Sequence, residues 1–200
     1  SDRVEDGPDN KNNRFEVAAE INAQFPGIGP FWGAPKSICL EDLPHKGSLR
    51  NGHGMEEWRQ SDLASKTAQS AWKLYTTGSV GSQAILGISH LYKLKRWLGG
   101  QGVVFPLETG SQLPDCPVVI GEIYPSFYSF DYMIPLQEQY PNQFYDILDA
   151  RQVRQVCDQF AFLMQTKVHA AYLFDIKSIR DSILKEEGWI VGVPVNGKTE

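Results

Sequence analysis

Pro117-Val118-Val119-Ile120-Gly121-Glu122-Ile123-Tyr124 is the stretch on which the fold reading turns. Its apolar residues run consecutively and do not alternate, so neither side is left polar. Such a run reads as a strand in a parallel sheet covered by helices on both faces. Glu122 interrupts it near the carboxyl end, the end at which open α/β sheets hold their ligands. Burying even a neutral polar group without a partner costs about 2–7 kcal/mol. A carboxylate at this point is therefore expected to face a cation or a basic side chain.

The neighbouring sequence supplies the layers. Upstream, Val103-Val104-Phe105 reads as a short buried strand. It is preceded by a helix from about Gln83 to Leu98 with Ile85, Ile88, Leu91, Tyr92 and Leu98 at 3-4 spacing. Gly99-Gly100 stops that helix. Downstream, the most regular helix runs from Asp149 to about Gln165, with Val153, Val156, Cys157, Phe160, Leu163 and Met164 on one stripe and Asp149 placed to cap it. A last helix, about Ile176 to Glu187, ends at Gly188 and passes into Trp189-Ile190-Val191-Gly192-Val193. The alternation implies an α/β layer structure with few strands for its length. Nearer the start, a helix is predicted from Arg14 to Gln24, with Phe15, Ala18, Ala19 and Asn22 on one stripe and Asn13 as its cap. The glycine- and proline-punctuated stretch 25–35 reads as an ordered loop over a core. Residues 36–70 are only weakly periodic, and 125–147 are rich in aromatic residues and proline. Residues 1–13 are almost wholly polar and read as a disordered leader, leaving 14–200 as a single domain.

Composition narrows the classes. The 200 residues include 42% hydrophobic and 22% charged side chains, with a net charge of −5. That is an ordinary soluble balance, and it argues against a binder that relies on a broad basic face. A nuclease holding carboxylates in a cleft stays open. No apolar run approaches the roughly 18 residues that span a bilayer, so no membrane partner is expected. Ser1 to Asp6 do not resemble a secretory leader. Cys39, Cys116 and Cys157 show no CxxC spacing, which indicates neither a disulfide framework nor a zinc knuckle. A reducing, cytoplasmic compartment is expected.

Two places carry candidate chemistry. Glu122 at a strand end and Asp149 at a helix start are hard oxygen donors of the kind Mg²⁺ or Mn²⁺ prefers. The alternative is that Asp149 only caps its helix and Glu122 pairs with a nearby Arg or Lys. Thr77-Gly78-Ser79-Val80-Gly81-Ser82-Gln83 is a glycine-rich turn leading into a helix, a form that aims backbone N–H groups at an anion. Gly78, Ser79, Gly81 and Ser82 would then hold a phosphate. The turn has no Walker lysine, and its other reading is a tight connection with Ser82 as N-cap. Asp158 reads as solvated, and His45, His53, His90 and His169 show no paired ligand spacing. Lys93, Lys95 and Arg96 read as the usual positive complement to a helix carboxyl end. No GxSxG or Cys/His constellation supports a covalent nucleophile.

Several segments together resemble an uncharacterised bacterial family with a ribonuclease-H-like fold, whose members often carry cobalamin or molybdopterin-guanine-dinucleotide biosynthesis labels. The resemblance rests on residues 13–22, Gly29-Pro30-Phe31-Trp32-Gly33, Trp72-Lys73-Leu74 with Gly78-Ser79-Val80-Gly81-Ser82-Gln83, and Phe105-Pro106-Leu107-Glu108-Thr109-Gly110. It continues through Glu122-Ile123-Tyr124-Pro125-Ser126, Asp149-Ala150-Arg151-Gln152-Val153-Arg154 and residues 186–193. It implies a three-layer α/β architecture of which this chain matches the C-terminal two-thirds. First strands and an early aspartate would come from a preceding segment, in cis or from another chain. It further implies a metal-dependent phosphodiesterase or nuclease, with Glu122 and Asp149 as catalytic metal ligands for Mg²⁺ or Mn²⁺. Gly78, Ser79, Gly81 and Ser82, assisted by Arg151 or Arg154, would bind phosphate. A short or single-stranded nucleic acid or a nucleotide would be the substrate. The competing expectation is a non-catalytic interaction or regulatory domain on the same fold, with the aromatic-rich 124–145 segment as its binding surface.

Overall fold

A computed structural model describes residues 3–9, 11–65, 68–112, 114–125, 147–165, 171 and 173–195. The described chain is mixed α/β with a small parallel two-stranded sheet, as the alternation of elements predicts. It divides into two compact units, Ser1–Leu63 with Thr67–Gly102, and Ala64–Lys66 with Val103–Glu200.

The first unit is built around helix α1 (Arg14–Asn22) and helix α3 (Gly81–Leu98), which pack together; α2 is the short helix Gln60–Ser65. Phe15, Val17, Ala18, Phe31, Ala34, Leu43, Leu74 and Ile85 form its core. The loop after α1 is ordered over that core, as expected, because Asn22 fastens it. The buried Asn22 amide donates to the carbonyls of Phe31 (2.9 Å) and Asp42 (2.6 Å), and its Oδ1 accepts the Phe31 N–H at 2.8 Å. Phe31 meets Trp72 edge-on at 5.0 Å. Asn13 occupies the N-cap position of α1 without making the expected side-chain cap. Its amide instead ties down the polar residues ahead of the helix, accepting the Glu5 N–H (2.9 Å) and donating to the Arg3 carbonyl (2.7 Å). Around them Asp6 and Asn12 form an antiparallel bridge. In that turn Lys11 holds the Asp9 carboxyl below its usual pKa, chiefly through their side-chain hydrogen bond.

The second unit holds the strands β1 (Gly102–Phe105) and β2 (Val118–Gly121), and the helices α4 (Leu148–Met164) and α5 (Asp181–Glu186). Its core gathers Phe105, Val156, Leu173, Ile176, Leu184, Trp189, Ile190, Val191 and Val193. Residues 189–193 are the most deeply buried run of the unit. Glu122 bridges to Ile190 in parallel, and the Trp189 indole N–H closes on the Val193 carbonyl at 2.9 Å. Phe105 stacks edge-on against Phe174 at 4.9 Å.

Three expectations about packing need correction. The β2 run is not covered on both faces: Val118 is exposed and the rest only half-buried. The stripe of α4 is split lengthwise. Val156 is buried and Phe160 and Leu163 pack beside the core, while Val153, Cys157 and Met164 along the other edge face solvent. On α3 only Ile85 of the predicted stripe is buried.

Candidate functional site

Glu122 continues β2 by one residue. Its carbonyl accepts the Val191 N–H at 2.9 Å, which pins its backbone beside the core run, and its side chain is exposed. The desolvation argument that required a cation at this carboxylate therefore lapses, because β2 has too little cover to bury it. Asp149 is exposed as well. The N-cap of α4 is Ile147, and Asp149 lies in the first turn, two positions further in than the cap, where its charge complements the helix amino end. Arg151 is exposed on the same turn, its backbone N–H bonded to the Ile147 carbonyl at 3.2 Å. Arg154 is held by both carboxylate oxygens of Asp158, at 2.9 and 2.8 Å. Asp158 is thus the partner of an arginine, not the merely solvated residue expected.

The donor chemistry of Glu122 and Asp149 suits Mg²⁺ or Mn²⁺. Among the described residues no three His, Cys, Asp or Glu side chains come together as a group able to hold a metal. His45 lies by the Ala34 carbonyl, His53 accepts the Met55 N–H, and His90 meets Asp6 at 3.2 Å; His169 lies outside the described residues.

The glycine-rich turn is closely tied to its own chain. The Gly81 N–H donates to the Lys73 carbonyl at 2.9 Å, and the Ser79 N–H to Thr76 at 3.2 Å. The Ser79 hydroxyl donates to Thr76 (2.6 Å), and the Ser82 hydroxyl to the Leu74 carbonyl (2.7 Å). Ser82 is therefore not the N-cap; Val80 holds that position without a side-chain cap. Gly78 is needed for its left-handed backbone, φ 73°. A phosphate in this turn would find two amides and two hydroxyls already engaged. The turn belongs to the first unit, whereas Glu122 and Asp149 belong to the second.

No family model, curated protein or solved structure matches this chain.

The most exposed chemistry lies where the sequence reading placed a core stripe. Beyond Ser89, α3 is open to solvent nearly all round, with Trp97 81% and Ile88 65% exposed and Leu91, Tyr92 and Leu94 exposed too. At 3.6 residues per turn, Tyr92, Arg96, Lys93 and Trp97 follow one another around one side, spanning roughly 140°. Leu94, Leu98, Leu91 and Ile88 take the other. Lys95 complements the helix carboxyl end, its Nζ donating to the Gly102 carbonyl at 2.6 Å. The Arg96 guanidinium lies over the Tyr92 ring, 5.8 Å from its centre, and neither Lys93 nor Arg96 is ion-paired to a described residue. The signal for this surface was in the sequence. Between Asp62 and Glu108 there is no acidic residue, while Lys66, Lys73, Lys93, Lys95 and Arg96 fall in that interval.

Proposed function

We propose that this chain works by binding, as an interaction domain whose docking element is the distal half of α3 and whose partner is anionic. The observation that supports it is the exposure of Trp97, Tyr92, Lys93 and Arg96 on a helix with no acidic residue, in a protein of net charge −5. An exposed apolar patch of this kind marks an interaction surface, and a local concentration of positive charge selects what covers it. The test is retention on a sulfonate cation-exchange resin at pH 7 and low salt, which the net charge alone would forbid. Retention of the native chain is expected, with loss in the Lys93→Glu, Arg96→Glu double variant. A native chain that flows through refutes the proposal.

A second reading is a ribonuclease-H-like, metal-dependent phosphodiesterase. Its support is the position of Glu122, exposed at the carboxyl end of a parallel strand. Mg²⁺ commonly binds through one or two carboxylates together with substrate phosphates, so Glu122 and Asp149 need not form a closed cage. Calorimetric titration with Mn²⁺ is expected to show micromolar-range binding that Glu122→Ala abolishes. If the intact protein ignores Mn²⁺, this reading falls.

A further inference from the structure

The geometry points to single-stranded nucleic acid as the partner of α3, bound by base stacking on Trp97 and Tyr92 with Lys93 and Arg96 meeting the phosphates between them. This inference rests on the docking role just proposed and adds the chemistry of the occupant.

The order of side chains around the helix carries it. The two exposed rings flank the two cations on one side, and the aliphatic residues are segregated to the other. Tyr92 and Trp97 are about 7.5 Å apart along the axis at 1.5 Å per residue and roughly 140° apart around it, so a strand crossing this side of the helix stacks a base on each ring and passes the two cations in between. Arg96 already leans over Tyr92, presenting a planar cation beside a ring face. Lys95, turned onto the Gly102 carbonyl, answers the negative end of the helix dipole and leaves Lys93 and Arg96 for a ligand.

Magnitudes separate the anionic partners. Duplex DNA and anionic lipid are both recognised mainly by number of charges, with polybasic lipid-binding clusters carrying about 4–8 Lys or Arg. Two cations in a net-acidic protein hold it to a sulfonate surface at low salt, where screening is weak, but supply too little for tight binding of either at physiological salt. Stacking on exposed rings makes up the difference, because it needs no further charge and every base offers a face. Stacking also requires bases that are not paired with one another, which selects a single strand.

The experiment follows the fluorescence anisotropy of a labelled oligothymidylate of twelve nucleotides, with a labelled duplex of the same length and phosphatidylserine vesicles as parallel arms. The oligothymidylate is expected to bind more tightly than the duplex. Trp97→Ala should weaken it about tenfold, the loss of roughly one stacked base, and Trp97→Phe should retain most of the affinity. Replacing Lys93 and Arg96 together by glutamine should reduce the slope of log K against log salt by about 0.7 per cation. Trp97 is on the surface, so its variants are expected to fold, and circular dichroism verifies it. Equal affinity for duplex and single strand, an unaltered Trp97→Ala, or binding to vesicles but not to oligothymidylate overturns the inference. If the chain is retained on sulfonate resin yet ignores oligothymidylate, the docking role stands and the nucleic-acid assignment fails. If it is not retained either, both fall.

Discussion

Gly81→Ala is expected to destabilise the protein by about 3 kcal/mol, at the upper end of what overpacking ordinarily costs. Alanine in place of glycine normally favours a helix by up to about 1 kcal/mol, so the sign here is set by sterics. A Cβ at position 81 would stand 2.4 Å from the Ala71 carbonyl oxygen and 2.8 Å from that of Lys73. Both are backbone atoms, and Lys73 cannot retreat without breaking its bond from the Gly81 N–H. Gly78 offers the contrast. Its added Cβ would meet only the flexible end of Gln69, at 3.1 Å, so Gly78→Ala carries chiefly the left-handed backbone penalty of about 1–2 kcal/mol. Thermal unfolding should therefore rank the native chain first, Gly78→Ala second and Gly81→Ala last, with no ligand present. This ordering bears directly on the phosphate reading of the turn. A glycine kept for the approach of a ligand can be replaced at little cost to the free protein, with the loss appearing in binding. An unchanged melting temperature for Gly81→Ala, with weakened phosphate or nucleotide binding, would make the turn a ligand site and overturn its reading as an internal splice.

The contrast between 81 and 78 also shows what could be read from sequence here. That a glycine-rich turn leads into a helix near residue 81 was legible, because glycine and helical periodicity are local signals. Which carbonyls the turn's N–H and O–H donors face was not, since the Lys73 and Leu74 carbonyls come from a segment with no regular pattern. The same division runs through the rest. The two strands, α1, α3 and α4 fall within a few residues of their expected places, and the last helix is shorter than its apolar pattern, Asp181–Glu186 against 176–187. Periodicity reports which residues share a face but not whether anything covers it. On α3 the stripe from Ile85 to Leu98 is real, yet cover ends near Ser89, and on α4 it reaches only the Val156–Phe160–Leu163 edge. Glu122 was misread for this reason: apolar neighbours on both sides suggested a sheet interior, whereas the described strands provide one strand neighbour and a single bridge. The aromatic-rich 124–145 segment, the binding surface of the competing expectation, lies from residue 126 onward outside the described residues. The docking helix was legible in its charges, through an acid-free interval, and concealed by its periodicity, which read as core.

Asn22→Ala is the second large effect expected, again about 3 kcal/mol, and it tests how the first unit is held together. Asn22 falls on the apolar stripe of α1 and looks, from spacing alone, like a tolerated polar residue at the margin of a core. In the structure it makes three hydrogen bonds, two with Phe31 in the loop and one with Asp42 beyond it. Deleting the side chain leaves the Phe31 N–H and carbonyl facing a cavity; an orphaned buried donor or acceptor costs about 1–3 kcal/mol. The Asp42 carbonyl, nearer the surface, can turn to water and contributes less. For a domain of about 100 residues a loss of this size lowers the melting temperature by roughly 10–20 °C. Asn22→Asp isolates the donor half of the interaction. Its carboxylate still accepts the Phe31 N–H, but it sets a negative oxygen against two carbonyls at donor distance, so at pH 7 it should be no more stable than Asn22→Ala. Protonation restores a donor, and the folded state then favours the acid form. A group whose pKa is raised on folding loses stability as pH rises through that pKa, so Asn22→Asp should gain stability relative to Asn22→Ala as the pH is lowered from 7 toward 4. If the two variants melt together across that range, the amide is not the fastening of the loop, and the order of residues 25–35 must come from the Phe31–Trp72 contact and the backbone bonds joining Ile28 to Asn51, Trp32 to Trp72 and Leu74, and Gly33 to Pro44.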